Sequence, residues 1–245
     1  MPAQTSSMTK VYLVTILFAW ATSCEKSTPN SDLGPPVMPD RVLNAAFLVV
    51  DGVYNSELVA PMDVLQHTVF HDANGIKVFT VAPSRETITT FEGLRILPDY
   101  SYATDSLPAI DILIVPSAKN SMTTDLDNVE LINFVSSSGR QALYVLSLCD
   151  GAFVLAKAGL LDNYHCTTFP GDIQRFKETF PKLNVHEDVS FVHDTRMITS
   201  VGGAKSYECA LYLVELLYGN KAAKEIGEGL VIDWDLGEVK HRRIQ

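Results

Sequence analysis

The chain is poor in basic residues, and this limits the partners that it can have. Its 245 residues include 19 Lys and Arg against 29 Asp and Glu, which gives a formal net charge of −10. Few of the Lys and Arg residues are clustered in the sequence. An acidic surface repels phosphate backbones and anionic lipid headgroups. The composition therefore argues against a nucleic acid or an anionic membrane surface as the main partner.

The sequence also lacks a long apolar run and a disulfide framework. The uncharged run at residues 11–20 is about half as long as the roughly twenty residues that a membrane-spanning helix needs. Beyond Cys24 the cysteines are Cys149, Cys166 and Cys209, and three cysteines do not make a set of disulfides. Each of these three is therefore either buried or functional. No internal repeat is present, and a hydrophobic content of 47% is ample for one core.

The N-terminus carries the features of an export signal. Lys10 precedes the apolar run, and small residues follow it up to Cys24. A basic residue, a short apolar stretch and small residues before a break are typical of a secretory signal. The pattern is similar to a bacterial lipoprotein signal, in which the cysteine after the cleavage site is lipidated. An ordinary cleaved signal with Cys24 incidental is the alternative.

This interpretation divides the chain into three parts. Residues 1–23 are a signal peptide, residues 24–40 a flexible tether rich in Ser and Pro, and residues 41–245 the folded domain. We expect an exported protein on the periplasmic side of a bacterial envelope. Its membrane contact would be only the lipid on Cys24.

Within the domain, short apolar runs alternate with helical patterns. Such alternation predicts an α/β fold with a mainly parallel, doubly wound sheet, in which ligands bind at the carboxyl ends of the strands. Strands are predicted at residues 45–50, 76–81, 111–115, 142–146 and 165–169, helices at 56–67, 128–137, 151–158, 172–180 and 206–218, and hairpins around 92–93 and 194–196.

The stretch 142–158 predicts a sharp strand-to-helix turn with Cys149 at its apex. Ser147 and Gly151, two residues to either side, leave the room that such a turn needs, as in the nucleophile elbow of hydrolases. The helix N-terminus that follows carries partial positive charge and favours a thiolate. The alternative is a buried and inert cysteine, which is a common fate of an unpaired cysteine.

Several motifs resemble the ThiJ/PfpI superfamily. They are Asp-Gly-Val-Tyr-Asn-Ser-Glu at 51–57, Val-Pro at 115–116, Ser-Leu-Cys-Asp-Gly-Ala-Phe at 147–153 and Thr-Ser-Val-Gly-Gly at 199–203. The resemblance implies a flavodoxin-like three-layer sandwich, as in class I glutamine amidotransferases. Within the superfamily the sequence looks most similar to isonitrile hydratase and to the amidase-like half of AraC-type regulators.

The resemblance also implies roles for particular residues. Cys149 matches the nucleophile of the elbow, and Glu57 matches an acid that hydrogen-bonds the thiol. Backbone N–H groups of Ser117 and Ala118 match an oxyanion-hole position. Members of the superfamily commonly form dimers, so a homodimer is expected.

Two departures from the family pattern remove the histidines that relatives use. Asp150 stands where peptidase-like members carry His directly after the cysteine. Residues 167–170 read Thr-Thr-Phe-Pro where the regulator-like branch has Thr-Thr-His-Trp. His165 and His193 are better explained as strand-end or surface residues than as bases. A Cys–His protease is therefore not expected.

Without a histidine, a carboxyl group must carry out the proton transfer that accompanies attack by the thiol. A carboxyl group beside a thiolate has a raised pKa, so a neutral Glu57 could shuttle a proton to and from the substrate. The alternative is a first-turn acid that complements the helix dipole. Asp150 could orient water or cap the helix that begins after it.

A second loop predicts a binding function. Gly202 and Gly203 precede a helix and form an anion-accepting turn, to which Lys205 would add charge for a carboxylate ligand. A solvated lysine is the alternative. Thr168 and Asp172 are expected to line the same mouth.

These observations predict a cysteine-dependent hydratase or hydrolase that acts on a small molecule. A non-catalytic ligand- or redox-sensing domain that uses the same thiol is the alternative. The stretch after Gly219 is too short for a helix-turn-helix module, which disfavours a DNA-binding regulator. The sequence contains no pattern that implies a metal or another cofactor.

Overall fold

The computed structural model describes Met1 and residues 38–71 and 74–244. The predicted signal peptide, the lipidated Cys24 and most of the tether lie outside the described residues. The strands are β1 Leu43–Leu48, β2 Ile76–Ala82, β3 Ile88–Thr89, β4 Arg95–Ile96, β5 Tyr100–Ser101, β6 Ile112–Val115, β7 Tyr144–Leu148, β8 His165–Cys166, β9 Asn184–Val185, β10 Phe191–Asp194, β11 Met197–Ser200 and β12 His241–Ile244. The α-helices are α1 Asn55–His67, α2 Thr124–Asp127, α3 Val129–Gln141, α4 Gly151–Lys157, α5 Ile173–Thr179 and α6 Ser206–Gly229.

Eight of these strands form one mainly parallel sheet, in the order β12-β10-β11-β7-β6-β1-β2-β5. The pairing between β10 and β11 is antiparallel, and the other neighbours in this sheet pair in parallel. The predicted α/β fold with a mainly parallel, doubly wound sheet is confirmed. The hairpin predicted around residues 194–196 is the β10–β11 pair.

The sheet buries both of its faces, which explains why its central strands are continuously apolar. Along β1, Ala45 and Phe47 point to the side covered by α1 and α6, while Ala46 and Leu48 point to the side covered by α3, α4 and α5. The result is the three-layer sandwich expected from the resemblance. Every residue of β6 and β7 is buried.

Three helix boundaries differ from the prediction. Helix α1 begins at Asn55, with Tyr54 at the N-cap and Pro61 in its interior. Helix α3 continues through Gly139 to Gln141. A Cβ at position 139 would lie 2.4 Å from Leu160 Cδ1, so glycine leaves room for that leucine. Helix α6 continues beyond a break at Gly219, whose φ is +87°.

Two strands of the sheet lack a clear signal in the sequence. Strand β12 reads His-Arg-Arg-Ile and lies beside β10 at the sheet edge, with Arg242 and Arg243 exposed. Strand β5 has only two residues. Conversely, the strand predicted at 165–169 is shorter in the structure, where β8 has only two residues.

An ion pair fixes the segment before β1 at the amino ends of the strands. The Arg41 guanidinium donates two hydrogen bonds of 2.7 Å to the two carboxylate oxygens of Asp111, just before β6. Asp111 also accepts the backbone N–H of Asn44 at 2.8 Å. Within residues 38–71 and 74–244, no helix has the length and apolar character to cross a membrane.

Candidate functional site

Cys149 lies in the turn between β7 and α4, at the carboxyl end of the central strands. Its φ of +53° is left-handed, which is uncommon for a residue with a side chain. Glycines on two sides make the turn possible. A Cβ on Gly151 would lie 2.0 Å from the carbonyl oxygen of Val115, and a Cβ on Gly202 would lie 2.4 Å from Cys149 Cβ. The predicted strand-to-helix elbow is therefore present, with no space for larger residues at these positions.

Two loops next to the elbow are tied together by backbone hydrogen bonds. Val53 forms an isolated antiparallel bridge with Ala118, and the Tyr54 N–H donates to the Ser117 carbonyl at 3.1 Å. The Lys119 N–H donates to the Gly52 carbonyl at 2.9 Å. These contacts hold the start of α1 against the end of β6 and so place Glu57 and Ser117 beside Cys149.

Glu57 is buried, with 4% of its surface exposed. Its Oε1 accepts the Gly203 N–H at 2.8 Å, and its Oε2 is buried without a hydrogen-bond partner among the described residues. Burial raises the pKa of Glu57, and the Gly203 hydrogen bond partly offsets this. The carboxyl group is thus anchored to Gly203, whereas the resemblance implied a hydrogen bond to the Cys149 thiol.

The Cys149 thiol is half-buried and donates a long hydrogen bond of 3.8 Å to Asp150 Oδ2. Its pKa is raised to about 12, first by burial, then by the negative charge of Asp150 and, less strongly, of Glu57. The buried Ser117 hydroxyl and the Asp150 N–H, which can donate to the sulfur, lower it. Burial and the neighbouring negative charges therefore disfavour the thiolate that the sequence pattern predicts for Cys149.

Asp150 is buried between the thiol and a threonine. The Thr168 hydroxyl lies 3.1 Å from Asp150 Oδ1 and 3.1 Å from the Cys149 carbonyl oxygen. The pKa of Asp150 is raised to about 6, mainly by burial and then by the charge of Asp172, while Thr168 lowers it. Its side chain makes no capping hydrogen bond to α4, so the capping role is not observed.

Most of the predicted binding groups already have partners within the protein. The Gly203 N–H is bound to Glu57, and the Ala118 N–H donates to Ser121 Oγ at 2.8 Å. Lys205 forms an ion pair with Glu208 on the first turn of α6. The carboxyl group that this glycine turn binds in the described structure is therefore the protein's own Glu57.

A cleft of about 560 Å³ opens beside the elbow. Thr168 is shared between this cleft and the surroundings of Cys149, whereas Cys149 itself does not line it. Ile173 and Val201 give the cleft apolar surface. Its charged lining residues are Glu187, Asp188, Lys205, Glu238 and Lys240.

Tyr54 was not predicted as a site residue. Its pKa is raised by burial and then by the charges of Cys149, Glu57 and Asp150, so it lies close enough to these three residues to interact electrostatically with them. The Tyr54 ring contacts Phe91 of the β3–β4 hairpin, with a centroid distance of 4.7 Å. Its position three residues before Glu57 was the only signal that could have found it.

The two histidines considered above make contacts elsewhere. His193 is buried in β10, where its ring nitrogens meet Tyr212 Oη at 2.6 Å and the Thr195 carbonyl at 3.0 Å. His165 Nδ1 lies 2.6 Å from His186 Nε2. Among the described residues, no group of three or more His, Cys, Asp or Glu side chains is arranged to hold a metal ion.

The family of this chain is shown by a match over most of its length. The sequence model described as "DJ-1/PfpI family" matches residues 43–216, which is most of the chain. The chain belongs to the DJ-1/PfpI family. This agrees with the motifs at the elbow and with the fold.

Relatives within the DJ-1/PfpI family have different functions. The chain is 25% identical over 217 residues to the HTH-type transcriptional regulator GbdR of Pseudomonas aeruginosa, covering 86% of this chain and 56% of the regulator. It thus spans about half the length of that relative. It is 26% identical over 183 residues to isonitrile hydratase of Pseudomonas putida, covering 74% of this chain and 75% of the hydratase.

A solved structure supports the fold. The crystal structure of Drosophila melanogaster DJ-1beta superposes with a TM-score of 0.66 at 24% identity, covering 79% of this chain and all of the other. At this identity the likeness shows the DJ-1/PfpI fold and does not assign an activity.

Proposed function

We propose that this DJ-1/PfpI-family protein is a cysteine-dependent hydratase or hydrolase that acts on a small electrophilic molecule. The observation that carries the proposal is the elbow, which holds the Cys149 thiol between two buried carboxyl groups, Glu57 and Asp150. A buried carboxyl group with a raised pKa is a common feature of catalytic acids and bases. The similarity to isonitrile hydratase supports the same reaction class.

We propose different proton-transfer roles for the two carboxyl groups. Asp150 Oδ2 accepts the thiol hydrogen bond, so it is the base that takes the proton when the sulfur attacks. Burial raises the pKa of Glu57, so we assign Glu57 as the acid that protonates the substrate. Because the resting thiol has a pKa of about 12, sulfur attack must be coupled to this proton transfer.

With an isonitrile the reaction would run as follows. The sulfur forms a bond to the terminal carbon, the thiol proton passes to Asp150, and Glu57 protonates the carbon to give a thioimidate. Water adds across the C=N bond of this adduct. The C–S bond then breaks, Glu57 accepts the hydroxyl proton, and Asp150 returns its proton to the sulfur. The products are an N-substituted formamide and the original thiol, so the net reaction consumes one water.

The substrate would approach from the cleft beside Thr168. We assign substrate contacts to Ser117, Ala118, Thr168, Gly202, Gly203 and Lys205, which lie on the loops around the elbow or line the cleft. The buried Ser117 hydroxyl faces the Cys149 sulfur and makes no other hydrogen bond among the described residues, so its oxygen could accept one from a bound molecule.

The test is turnover of a panel of small electrophiles, namely isonitriles, 2-oxoaldehydes and small amides. We expect wild type to consume at least one class and Cys149→Ala to lose that activity. Cys209→Ala is the matched control, because Cys209 is fully buried in α6 and has no assigned role. Equal turnover by Cys149→Ala and wild type would refute Cys149 as the nucleophile.

A second candidate is a non-catalytic ligand- or redox-sensing domain. The high pKa of the Cys149 thiol favours this candidate. Ligand binding or oxidation at Cys149 without turnover of any panel member would support this candidate over the enzyme.

We further propose that the protein is exported, carries a lipid on Cys24 and forms a homodimer. The sequence pattern before Cys24 and the similarity to a family with dimeric members support these proposals. Incorporation of a labelled fatty acid by wild type and its absence in Cys24→Ala would test the lipid. Sedimentation of residues 41–245 would test the dimer.

A further inference from the structure

The cleft beside the elbow contains a serine and a lysine that have no role in the reaction proposed above. Ser190 and Lys240 stand directly before β10 and β12, and both line the cleft. The Ser190 N–H donates to the Lys240 carbonyl, which extends the parallel register in which Phe191 lies beside His241. Ser190 and Lys240 are therefore neighbours on adjacent segments at the edge of the sheet.

The side chains of Ser190 and Lys240 face the cleft. In the next pair along the strands, the rings of Phe191 and His241 stack with a centroid distance of 5.2 Å, and Phe191 also contacts Tyr212 of α6. That pair points to the α6 side of the sheet. Because side chains alternate along a strand, the preceding pair points to the opposite side, where α5 forms another wall of the cleft.

The Ser190 side chain is buried but has a free hydroxyl. Ser190 is 8% exposed, and its hydroxyl makes no hydrogen bond to another described residue. Its backbone is fixed, because its carbonyl accepts the Ser200 hydroxyl at 3.1 Å and the Val201 N–H at 3.0 Å. A polar group that is buried without a partner costs free energy, which a bound molecule can recover. The hydroxyl can therefore donate to a ligand in the cleft.

Two of the charged side chains that line the cleft are neutralised by the protein itself. Glu187 forms an ion pair with Lys177, and Lys205 forms one with Glu208. The remaining charged lining residues, which form no ion pair within the described part of the chain, are Asp188, Glu238 and Lys240.

These charges select a ligand that carries both signs of charge. A simple anion would be attracted by Lys240 and repelled by Asp188 and Glu238, and a simple cation would meet the reverse. A molecule with a carboxylate at one end and an ammonium group at the other can satisfy all three side chains. The cleft volume of about 560 Å³ is ample for a small molecule of this kind.

We propose that the cleft binds a small zwitterion, such as an amino acid, with its carboxylate on Ser190 and Lys240. Its ammonium group lies against Asp188 or Glu238. The inference goes beyond the proposed function, because Cys149 does not line the cleft and binding there needs no reaction.

The test is calorimetric titration with ω-amino acids of increasing chain length, from glycine to ε-aminocaproate. For each amino acid, the carboxylate and the amine of the same chain length are titrated as well. All titrations are made near neutral pH at one ionic strength, because salt screens exposed charges. We expect at least one amino acid to bind wild type about tenfold or more tightly than either of its singly charged analogues.

Four variants assign the two charged ends of the ligand. Lys240→Met and Ser190→Ala should each weaken binding of the best amino acid by about tenfold, since each removes a hydrogen bond to its carboxylate. Lys240→Arg keeps the charge and should bind as wild type does. The double variant Asp188→Asn with Glu238→Gln should bind the amino acid no more tightly than its carboxylate analogue.

The matched control is Lys182→Met, an exposed change between α5 and β9 that should leave binding unchanged. Two results would overturn the proposal. One is that no amino acid of the series binds more tightly than both of its singly charged analogues. The other is that Lys240→Met and Ser190→Ala bind the amino acid as tightly as wild type. Neither result depends on turnover, so a panel of electrophiles that are not consumed would count against the proposed function alone.

Discussion

Gly202 contacts the backbone of Cys149, and replacing it with alanine tests the packing of the elbow. Its φ of 77° and ψ of −158° fall in a region that is nearly restricted to glycine and costs other residues about 1–3 kcal/mol. An alanine Cβ would lie 2.4 Å from Cys149 Cβ and 2.8 Å from its backbone nitrogen. Overpacking of this kind costs a further ~1–3 kcal/mol. We expect Gly202→Ala to lower the free energy of unfolding by about 3 kcal/mol or more.

The neighbouring Gly203 provides the matched control. Its φ is also positive, at +57°, but a Cβ there would meet no heavy atom within 4 Å. The left-handed backbone costs alanine about 1–2 kcal/mol, and the smaller entropy of the unfolded chain returns roughly 0.4–1 kcal/mol. Gly203→Ala should therefore lower the free energy of unfolding by about 1 kcal/mol or less.

The assay is denaturant and thermal unfolding of both variants and wild type. At ~2–4 °C per kcal/mol for a domain of this size, Gly202→Ala should unfold about 6–12 °C below wild type and Gly203→Ala only a few degrees below. Equal losses in the two variants would refute the argument. They would show that the positive φ, and not the contact with Cys149, determines the cost at Gly202.

Three further predictions follow from burial and charge. In the native protein, iodoacetamide should modify Cys149 well before Cys166 and Cys209, which are fully buried. Peptide mass spectrometry measures this, and equal modification of all three cysteines would contradict the burial of Cys166 and Cys209. The pKa of Asp150 is raised to about 6, so the native state gains stability from its neutral form and loses that gain as pH rises through 6. Asp150→Asn should thus be more stable than wild type near pH 8, by about 1–3 kcal/mol after allowance for solvent screening. Near pH 4 the two proteins should be equally stable. Urea unfolding at both pH values measures the difference. Burial lowers the pKa of His193, so the unfolded chain binds the proton more tightly and stability falls as pH drops below the unfolded value of about 6.5. His193→Gln should flatten this slope in the same assay, and an unchanged slope would assign it to other groups.

The central sheet and the elbow were predictable because their signals are local. The apolar runs of β1, β6 and β7 reflect burial on both faces, and Ser147 and Gly151 mark the turn around Cys149. Strand β12 was not predictable, since His-Arg-Arg-Ile becomes a strand only by pairing with β10. The end of α3 was also not predictable: the helix continues through Gly139, where glycine leaves room for Leu160 of another segment.

The members of the site were easier to predict than their protonation states. The motifs brought Glu57, Ser117 and Cys149 together, as the resemblance implied. The state of the thiol depends on how much water reaches it and on which charges surround it, and both are set by tertiary packing. The same holds for Asp150, whose neighbours Thr168 and Asp172 come from another part of the chain.

The Arg41–Asp111 ion pair has a consequence for how the protein would present its pocket. It fixes the start of β1 at the amino ends of the strands, whereas Cys149 follows the carboxyl end of β7. A strand of six residues is about 20 Å long, so the two points are at opposite poles of the domain. A partner fused ahead of residue 38 would therefore join the domain at the pole opposite Cys149.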